Sequence, residues 1–310
     1  KADVVVAHHG LRHGLDGVWQ LGEHRAAVNA DLMVAGAELA GDQVGVLELV
    51  AALAALGVTQ IEGDLDQPQT LARLSGISDA VIHSAPPPTE GKGDPRTARL
   101  LALLQRGKSL PRRLIYISTS GVYGDCGGAR VDETHAIEAK SARAARRVDA
   151  ERRLRRFGRR QGGACRVSIL RAPGIYAGDR LPLERLRRGL PLMLHAEDSH
   201  TNHIHAEDLG RACIAALAHG GANRAYNIND DSGLAMGEWF DLLADRFQLP
   251  RAPRLPREEV RRVVPAMQWS FMSESRRLDN TRMKRELRLR LRYPTVVTGI
   301  AVAKEITCSG

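Results

Sequence analysis

The residue types best suited to chemistry cluster in one short stretch, 114–124, which reads Leu-Ile-Tyr-Ile-Ser-Thr-Ser-Gly-Val-Tyr-Gly. Its first half is apolar and rich in β-branched and aromatic residues, which predicts a short buried strand. Its second half carries the hydroxyls of Ser118, Thr119, Ser120 and Tyr123. Because ligands bind at the carboxyl ends of strands in open α/β sheets, these hydroxyls are candidates for hydrogen bonds to substrate oxygens. An ordinary polar turn also favours serine and glycine, so composition alone leaves both interpretations open.

Strand-like and helix-like segments alternate along the chain on both sides of this stretch. Apolar, β-branched runs predict strands, and runs with helical periodicity predict the helices between them. Besides the first half of 114–124, the predicted strands span 3–7, 31–35, 58–61, 79–84, 166–170 and 225–229. The predicted helices span 46–56, 67–74, 97–105, 142–157, 209–217 and 236–247. This alternation predicts an α/β fold with a Rossmann-like, doubly wound parallel sheet and a small C-terminal α/β substrate domain.

Two motifs resemble segments of a known enzyme family. Residues 118–124, Ser-Thr-Ser-Gly-Val-Tyr-Gly, resemble the Ser-Ser-x-x-Val-Tyr-Gly segment of the extended short-chain dehydrogenases/reductases, the group of nucleotide-sugar epimerases and dehydratases. Residues 171–176, Arg-Ala-Pro-Gly-Ile-Tyr, are similar to that family's Leu-Arg-Pro-x-x-Ile-Tyr-Gly segment. The resemblance continues to about Pro294 and is greatest to atypical, epimerase-like members. It implies NAD or NADP as cofactor and a small or nucleotide-linked substrate.

The resemblance also implies roles for residues at matching positions. Asp64 and Leu65 match an Asp-Leu pair that lies against the adenine, and Ala85 matches a small residue beneath the ribose and pyrophosphate. Asp66 before Pro68 also suits a helix N-cap, and both roles are compatible. The residues themselves make Tyr123 the candidate acid/base, with Thr119 as its hydrogen-bond partner, and Tyr176 is a second candidate. For either tyrosine a half-buried ring with a satisfied hydroxyl is the simpler interpretation. The substrate-binding candidates are Ser120, Tyr176 and Asn202. The cofactor-binding candidates are Asp64, Leu65, Ala85, Ser118, Arg147 and Pro173.

Three glycines follow the first predicted strand, as a dinucleotide-binding turn requires. Gly10, Gly14 and Gly17 could give a tight turn and let backbone amides approach a pyrophosphate. Their spacing is Gly-x-x-x-Gly-x-x-Gly, whereas the family generally has Gly-x-x-Gly-x-x-Gly. A plain glycine-rich loop therefore stays open as the alternative.

The predicted helix 142–157 lacks the pair that short-chain dehydrogenases use for proton transfer. In the family, a Tyr-x-x-x-Lys motif on this helix supplies the general acid/base and holds the ribose. Aligned on Ala150-Glu151, the chain has Arg143 at the tyrosine position and Arg147 at the lysine position. Arg147 can still bind a ribose or phosphate through its planar fork of donors. Arg143 cannot transfer a proton near neutral pH, because a guanidinium does not deprotonate in proteins.

The order of the motifs predicts two domains. Residues 1–172 would form the dinucleotide-binding domain, with 201–230 returning to it, and residues 173–200 and 231–310 would form the substrate domain. Glu133 is expected to anchor the loop after Gly124. Arg276 or Arg277 could contact an anionic substrate, although a solvated surface role is the simpler interpretation of either residue.

Bulk properties exclude several function classes. The net charge of +9 and the pI near 9.8 favour anionic ligands, but no aromatic-basic interleaving supports nucleic acid as a partner. No run of 18 apolar residues predicts a membrane span, and the first residues do not predict a signal peptide. The four cysteines lack metal-ligand spacing, and the histidines at 203 and 205 lack further ligands, so no metal site is predicted. We therefore expect a cytoplasmic protein with reduced thiols, and a homodimer is left open.

Two functions from different classes remain. The first is an NAD(P)-dependent oxidoreductase or epimerase-like enzyme in which the usual Tyr-x-x-x-Lys pair is replaced. The second is a non-catalytic NAD(P)-binding sensor or scaffold, which the missing pair favours and the retained motif at 118–124 opposes.

Overall fold

The structure, a computed structural model, describes residues 3–8, 32–36 and 59–303. The strands in these ranges alternate with helices, as the sequence predicts. They are β1 (Asp3–His8), β2 (Leu32–Gly36), β3 (Thr59–Asp64), β4 (Ala80–His83), β5 (Arg113–Thr119), β6 (Arg130–Val131), β7 (Arg166–Ala172), β8 (Gly174–Tyr176), β9 (Leu192–Met193), β10 (His203–His205), β11 (Arg224–Asn227), β12 (Arg254–Leu255) and β13 (Arg277–Leu278).

The helices in the same ranges are mostly short, and the two longest have 19 and 14 residues. They are α1 (Pro95–Leu104), α2 (Ala142–Arg160), α3 (Leu183–Arg187), α4 (Ala206–His219), α5 (Met236–Arg246), α6 (Arg257–Val263), α7 (Ala266–Met272), α8 (Thr281–Glu286) and α9 (Val296–Ala301). Segments of 3-10 helix span Pro68–Leu74, Ser120–Tyr123 and His195–Glu197. The segment predicted as a helix at 67–74 is therefore helical, but with the tighter 3-10 geometry. The helix predicted at 46–56 lies outside the described residues.

The main sheet has seven strands in the order β11-β7-β5-β4-β2-β1-β3. β2 pairs in parallel with β4, and β4 pairs in parallel with β5, so His83 lies beside both Val34 and Tyr116. Parallel neighbours separated by helices are the signature of a doubly wound sheet. The predicted Rossmann-like α/β fold is confirmed.

β1 departs from the parallel arrangement. It pairs antiparallel with both neighbours, so that Val4 lies opposite Gly36 at the end of β2 and Ala7 lies opposite Met33 near its start. The carboxyl end of β1 is consequently at the opposite edge of the sheet from the carboxyl ends of β2, β3, β4 and β5. The predicted phosphate turn at Gly10, Gly14 and Gly17 lies outside the described residues and stays a prediction.

The chain packs into two compact units. The first comprises residues 1–118, 145–170 and 213–225, and the second comprises 119–144, 171–212 and 226–310. Each unit has a hydrophobic core of its own, as an independently packed domain requires. The core of the first unit is built around Leu71, Leu100, Leu114, Leu154 and Val167. The core of the second is built around Leu192, Trp239, Phe240, Leu243 and Val296. The functional assignment of each domain from the sequence stays a prediction.

Local sequence explains where the helices beside the sheet begin. Three prolines follow Ala85, and because proline lacks an amide hydrogen they cannot continue β4. The Asp94 side chain then accepts a hydrogen bond from the backbone amide of Thr97, and Pro95 occupies the first turn of α1. Both features are favoured at helix N-termini. These two signals place α1 two residues earlier than the sequence prediction.

The glycine at 299 tests the packing of the second unit. A Cβ atom on Gly299 would lie 2.2 Å from the hydroxyl oxygen and 2.6 Å from Cε2 of the buried Tyr176 ring. Gly299→Ala should therefore overpack this site and lower the free energy of unfolding by about 1–3 kcal/mol. Urea denaturation measures the change.

Gly210, within α4, is the matched control. A Cβ there would meet no heavy atom within 4 Å, so Gly210→Ala should be neutral or stabilising by up to about 1 kcal/mol, the usual gain in a helix interior. Equal effects of the two substitutions would contradict this packing of Tyr176 against α9.

Candidate functional site

Parallel strands bring chain segments of the first unit to one edge of the sheet. His83 and Tyr116 pair in register near the ends of β4 and β5, so the residues that follow them emerge side by side. Ala85 is buried, and it presents no polar atom beyond its backbone. This edge is where an open α/β sheet binds its ligands.

Arg147 brings guanidinium donors to β5 in the first unit. Its Nη1 donates hydrogen bonds to the Tyr116 hydroxyl at 3.0 Å and to the Ile117 carbonyl oxygen at 2.9 Å. Burial raises the pKa of Tyr116 to about 12, so this phenol stays neutral near physiological pH. Within the described part of the chain, Nε and Nη2 of Arg147 have no hydrogen-bond partner. Arg147 is therefore held by one nitrogen and can donate with the others.

The Ser118 hydroxyl is used in a hydrogen bond within the protein. Its hydroxyl donates a 2.7 Å hydrogen bond to Oε1 of Glu151, and both side chains are buried. A buried carboxylate needs such a partner, because an unpaired charge in the interior is costly. Ser118 thus ties β5 to α2 and has no hydroxyl proton left to donate to a cofactor.

Asp64 and Leu65 form a closed turn after β3. The two carboxylate oxygens of Asp64 accept hydrogen bonds from the backbone amide of Asp66 at 2.7 Å and from the Gln67 side chain at 3.2 Å. Leu65 is 0% exposed and belongs to the hydrophobic core of the first unit. Contact between Leu65 and a cofactor is thereby limited to its backbone atoms.

Asp66 anchors two arginines of α1 instead of capping a helix. Its carboxylate accepts hydrogen bonds from Arg96 and Arg99, each at 2.8 Å. The hydrogen bond from Arg96 holds the pKa of Asp66 below its usual value. The N-cap that the sequence suggested for Asp66 does not form: residue 67 precedes the 3-10 turn, and no side chain caps it.

His83 is a fully buried histidine that the sequence analysis did not single out. Its Nε2 lies 2.8 Å from the Thr97 hydroxyl, which donates in turn to Asp94 at 2.6 Å. Thr97 can donate only once, so His83 is the donor in the first of these bonds and carries its proton on Nε2. Burial, with a smaller effect of Arg147, lowers the pKa of His83 to about 3. A neutral histidine therefore links β4 to α1.

These contacts fit a dinucleotide at the sheet edge through a small set of groups. Arg147 offers guanidinium donors for ribose hydroxyl or phosphate oxygens, and Ala85 leaves the turn after β4 unobstructed by a long side chain. Ser118, Asp64 and Leu65 support the architecture of the edge through the protein contacts described above.

The second unit contains a cavity of about 340 Å³, which is within the size range of small-molecule sites. Its wall combines hydroxyl, aromatic and charged side chains. The lining residues are Thr119, Ser120, Gly121, Arg143, Pro173, Gly174, Ile175, Tyr176, Arg180, Pro182, His200, Thr201, Asn202, His203, Met236, Trp239, Phe240, Phe271, Glu274 and Arg276. Five residues assigned from the sequence therefore line one cavity: Thr119, Ser120, Pro173, Tyr176 and Asn202.

Two neighbouring hydroxyls of the cavity are placed for hydrogen bonding to a ligand. Thr119 accepts a 3.2 Å hydrogen bond from the backbone amide of Gly121 and so retains its hydroxyl proton for another acceptor. Ser120 is 5% exposed, and its hydroxyl has no partner among the residues that the structure describes. Because Ser120 lines the cavity, its hydroxyl can donate a hydrogen bond to a ligand oxygen there.

Tyr123 does not line the cavity, and the structure does not support the catalytic role assigned to it. Its ring is 1% exposed. Its hydroxyl donates to Oδ1 of Asn227 at 2.7 Å and accepts from Nη1 of Arg171 at 2.8 Å. The backbone amide of Asn227 also donates a 2.8 Å hydrogen bond to Oε1 of Glu133, so Glu133 anchors this loop to β11 as expected. The Tyr123 phenol is thus a structural hydrogen-bonding group that is buried within the protein.

Asn202 and Tyr176 line the cavity but use their polar atoms within the protein. Nδ2 of Asn202 donates to the Arg276 carbonyl oxygen at 2.9 Å, and its Oδ1 accepts from the Leu278 amide at 2.9 Å. Burial raises the pKa of Tyr176, whose ring packs against His203 and Trp239. Both residues therefore shape the cavity, and neither can serve there as an acid or base near neutral pH.

His200 and Glu274 are cavity residues that the sequence analysis missed. Nδ1 of His200 is buried without a hydrogen-bond partner in the described chain, and its backbone amide is fixed by the Ser275 hydroxyl at 3.0 Å. Glu274 accepts a 2.8 Å ion-pair contact from Arg276. The only sequence signal for either residue is its type, because both lie outside the motifs.

Two classes of site are not found in the part of the chain that the structure describes. No three histidine, cysteine, aspartate or glutamate side chains there converge as metal ligands. Among the same residues, no helix combines the length and the apolar character that crossing a bilayer requires.

A comparison with models of known protein families identifies the family of this chain. The model of the NAD dependent epimerase/dehydratase family matches residues 18–229, more than half of the sequence. The chain belongs to this family. No curated protein matches the chain. The predicted family is confirmed, and NAD or NADP is the cofactor that the family uses.

Solved structures of this NAD-dependent epimerase/dehydratase type share its fold. A conserved protein of unknown function from Silicibacter pomeroyi is 28% identical, with a TM-score of 0.60 over 72% of this chain and 77% of that one. RMD from Pseudomonas aeruginosa, complexed with NADPH, is 21% identical, with a TM-score of 0.59 over 77% and 84%. The dTDP-glucose 4,6-dehydratase DesIV from Streptomyces venezuelae, with NAD bound, is 22% identical, with a TM-score of 0.60 over 77% of each chain.

The buried phenol of Tyr123 gives a testable prediction. Tyr123→Phe removes an acceptor for Arg171 and a donor for Asn227, leaving two buried groups without these partners. The substitution should lower the free energy of unfolding by about 1–3 kcal/mol, as measured by urea denaturation, and leave cofactor affinity unchanged.

Tyr293→Phe is the matched control, because the Tyr293 hydroxyl is more exposed and lies 3.3 Å from Glu207. Its loss should cost less than about 1 kcal/mol. Unchanged stability of Tyr123→Phe together with lost turnover would restore Tyr123 as the acid/base.

Proposed function

We propose that the protein is an NAD(P)-dependent oxidoreductase or epimerase-like enzyme that acts on a small or nucleotide-linked substrate. The observation that carries the proposal is the cavity of about 340 Å³ with the hydroxyls of Thr119 and Ser120 in its wall. A site that only stored a cofactor would not need a second, polar cavity of substrate size. The first unit would bind the cofactor, and the second unit would bind the substrate.

Arg147 would hold the cofactor in the first unit. Its guanidinium is oriented by the Ile117 carbonyl and the Tyr116 hydroxyl, which reduces the entropy lost on binding. The backbone of Ala85 would lie beneath the cofactor. The bound nicotinamide supplies or accepts a hydride, and the protein residues contribute binding, orientation and a proton.

Proton transfer in this chain would differ from the usual Tyr-x-x-x-Lys arrangement. Arg143 and Arg147 occupy those positions, and Tyr123 is sealed. His200 lines the cavity, and its buried Nδ1 has no hydrogen-bond partner in the described chain. In this proposal His200 exchanges the proton, and Thr119 and Ser120 hydrogen-bond the reacting oxygen.

The direction of the strands bears on the cofactor phosphates. Gly10, Gly14 and Gly17 follow β1, whose carboxyl end lies at the edge opposite the ends of β4 and β5. Gly36 ends β2 at the same edge as β4 and β5, and further glycines follow it in the sequence. Strand direction therefore favours a phosphate turn after Gly36 over one after His8.

A non-catalytic NAD(P)-binding sensor or scaffold is the second candidate. The observation that favours it is the guanidinium of Arg143 in place of the tyrosine hydroxyl. Incubation of NADH and NADPH with a panel of aldehydes and ketones separates the two candidates. Oxidation of either nucleotide that is lost in His200→Gln supports the enzyme, and the absence of oxidation with every member supports the sensor.

Two further features belong to the proposal. Cys126, Cys165 and Cys213 are free thiols, which suits the reducing cytoplasm. MoeE5, a protein of this fold that is 20% identical to the chain, was solved in complex with UDP-glucose and NAD, so a nucleotide-linked sugar is bound by a protein of this fold. The bound ligand of that structure supports a nucleotide-linked substrate for this chain. A homodimer stays a prediction.

Cofactor binding by Arg147 gives a sharp test. Arg147→Ala removes charge-assisted hydrogen bonds and should weaken the binding of NADH or NADPH by about 1.5–3 kcal/mol in calorimetric titration. Arg152→Ala, an exposed arginine on the same helix, is the control and should bind like the wild type. Thermal denaturation checks that both variants fold. Equal affinity of the Arg147→Ala variant and the wild type would remove Arg147 from the cofactor site.

A further inference from the structure

Four loops of the first unit enter the main sheet side by side. They precede β4, β5, β7 and β11 and span 75–79, 105–112, 161–165 and 220–223. Backbone hydrogen bonds join neighbouring loops, from the Arg112 amide to the Asp79 carbonyl oxygen at 2.7 Å and from the Arg166 amide to the Arg112 carbonyl oxygen at 2.9 Å. Nη1 of Arg113 donates to the Gly220 carbonyl oxygen at 3.2 Å. The amino ends of these four strands therefore form one continuous surface.

Exposed cations are concentrated on this surface. Six of them lie in the four loops, in the last turn of α2 or at the first residue of β7, and together they are called the basic edge: Arg106, Lys108, Arg112, Arg159, Arg160 and Arg166. None of the six side chains has a hydrogen-bond or ion-pair partner among the residues that the structure describes. The four loops contain one acidic residue, Asp79. The basic edge thus carries positive charge that the described chain does not neutralise.

Repulsion within the basic edge is visible at Arg113, the first residue of β5. Burial, with a smaller effect of the neighbouring positive charge of Arg166, lowers the pKa of Arg113. Like charges held this close oppose folding, and a bound anion removes that cost.

Stabilisation of a helix end explains only part of the basic edge. Arginines in the last turn of a helix interact favourably with its dipole, which accounts for Arg159 and Arg160. The same explanation does not apply to the four cations outside helices, which are Arg106, Lys108, Arg112 and Arg166. Because the six residues are spread over 106–166 in the sequence, only the folded sheet brings them to one edge.

The chemistry of the basic edge matches the phosphates of a duplex. Five of its six cations are arginines, whose planar fork of donors fits phosphate oxygens. The four loops contain no phenylalanine, tyrosine or tryptophan on which an unpaired base could stack, which favours a duplex over a single strand. None of the large apolar side chains exposed in the described chain lies in the first unit, which disfavours insertion into lipid.

We propose that the basic edge binds the phosphate backbone of double-stranded nucleic acid without reading its sequence. Phosphate contacts supply affinity and position a protein on a duplex, whereas specificity needs contacts to the bases. Arg147 bonds the Ile117 carbonyl near the other end of β5, so the duplex and the proposed cofactor occupy opposite edges of the sheet. This binding surface goes beyond the proposed function and does not depend on it.

Fluorescence anisotropy with labelled duplexes of about 20 base pairs, one of DNA and one of RNA, tests the proposal. The full chain should bind at least one duplex at about 50 mM salt with a Kd below about 10 μM. The affinity should fall at least about tenfold by about 200 mM salt, the loss expected when two or more phosphates are neutralised. Binding of either duplex in this way supports the proposal, and the ratio of the two affinities identifies the preferred nucleic acid.

Three results would overturn the proposal. The first is the absence of binding to both duplexes, and the second is binding that does not weaken with salt. The third is a different partner, shown by tighter binding of a single strand of the same sequence or by binding of phosphatidylserine vesicles without binding of a duplex.

Two double variants assign the binding to the basic edge. Arg159→Gln combined with Arg160→Gln removes the two cations of α2, and Arg112→Gln combined with Arg166→Gln removes two cations outside any helix. Each pair should weaken duplex binding at low salt by about tenfold, because two phosphate contacts are lost. Thermal denaturation checks that both variants fold. Wild-type affinity in both folded variants would exclude the basic edge as the binding surface.

Arg261→Gln combined with Arg262→Gln is the matched control. These two arginines are also exposed and also occupy the last turn of a helix, α6, in the second unit. The control removes the same net charge and should bind the duplex like the wild type. An equal loss of affinity in the control would show that overall charge, and not the basic edge, attracts the duplex.

Competition with the cofactor provides a further test of the surface. Saturating NADPH should leave the affinity for the duplex unchanged, because Arg147 and the basic edge lie at opposite ends of β5. Displacement of the duplex by NADPH would place the nucleic acid at the cofactor edge and overturn the assignment.

Discussion

The constraint on which the second unit depends is the burial of one arginine. Arg171 is 1% exposed, and a guanidinium cannot be buried without partners that compensate its lost hydration. Tyr123 supplies an acceptor at 2.8 Å and places its ring 4.8 Å from the guanidinium carbon. Asn227 then accepts from Tyr123 and donates to the Val131 and Asp279 carbonyls. The Val-Tyr-Gly motif is consequently part of the scaffold of this unit.

Much of the architecture could be predicted, because periodicity reports burial directly. The alternation of apolar and polar residues located β4, β5, β7, α2 and α5 to within a few residues. It could not give the direction of β1, since strand pairing depends on contacts between segments distant in sequence. The sequence also could not predict the 3-10 geometry of Pro68–Leu74, because over seven residues the spacing of apolar side chains barely distinguishes a 3-10 helix from an α-helix.

The candidate site was predicted unevenly, for a physical reason. Motif resemblance identifies positions, and it brought Thr119, Ser120 and Pro173 to one cavity wall. Motif resemblance cannot show which polar atoms already have hydrogen-bond partners within the protein. The Ser118 hydroxyl donates to Glu151 and so has no proton left for a cofactor, and the Asn202 side chain bonds the backbone of Arg276 and Leu278. Phe271, His200 and Glu274 reach the cavity from segments without any motif, and only the folded chain shows their proximity.

The central claim is that the cofactor lies at the carboxyl edge of β4 and β5, where α2 presents Arg147. Hydrogen–deuterium exchange, measured with and without saturating NADPH or NADH, tests this claim most directly. The account predicts slower exchange on cofactor binding in residues 84–94 and in the part of α2 around Arg147. Unchanged exchange in both segments, at a nucleotide concentration that saturates the protein, would contradict it.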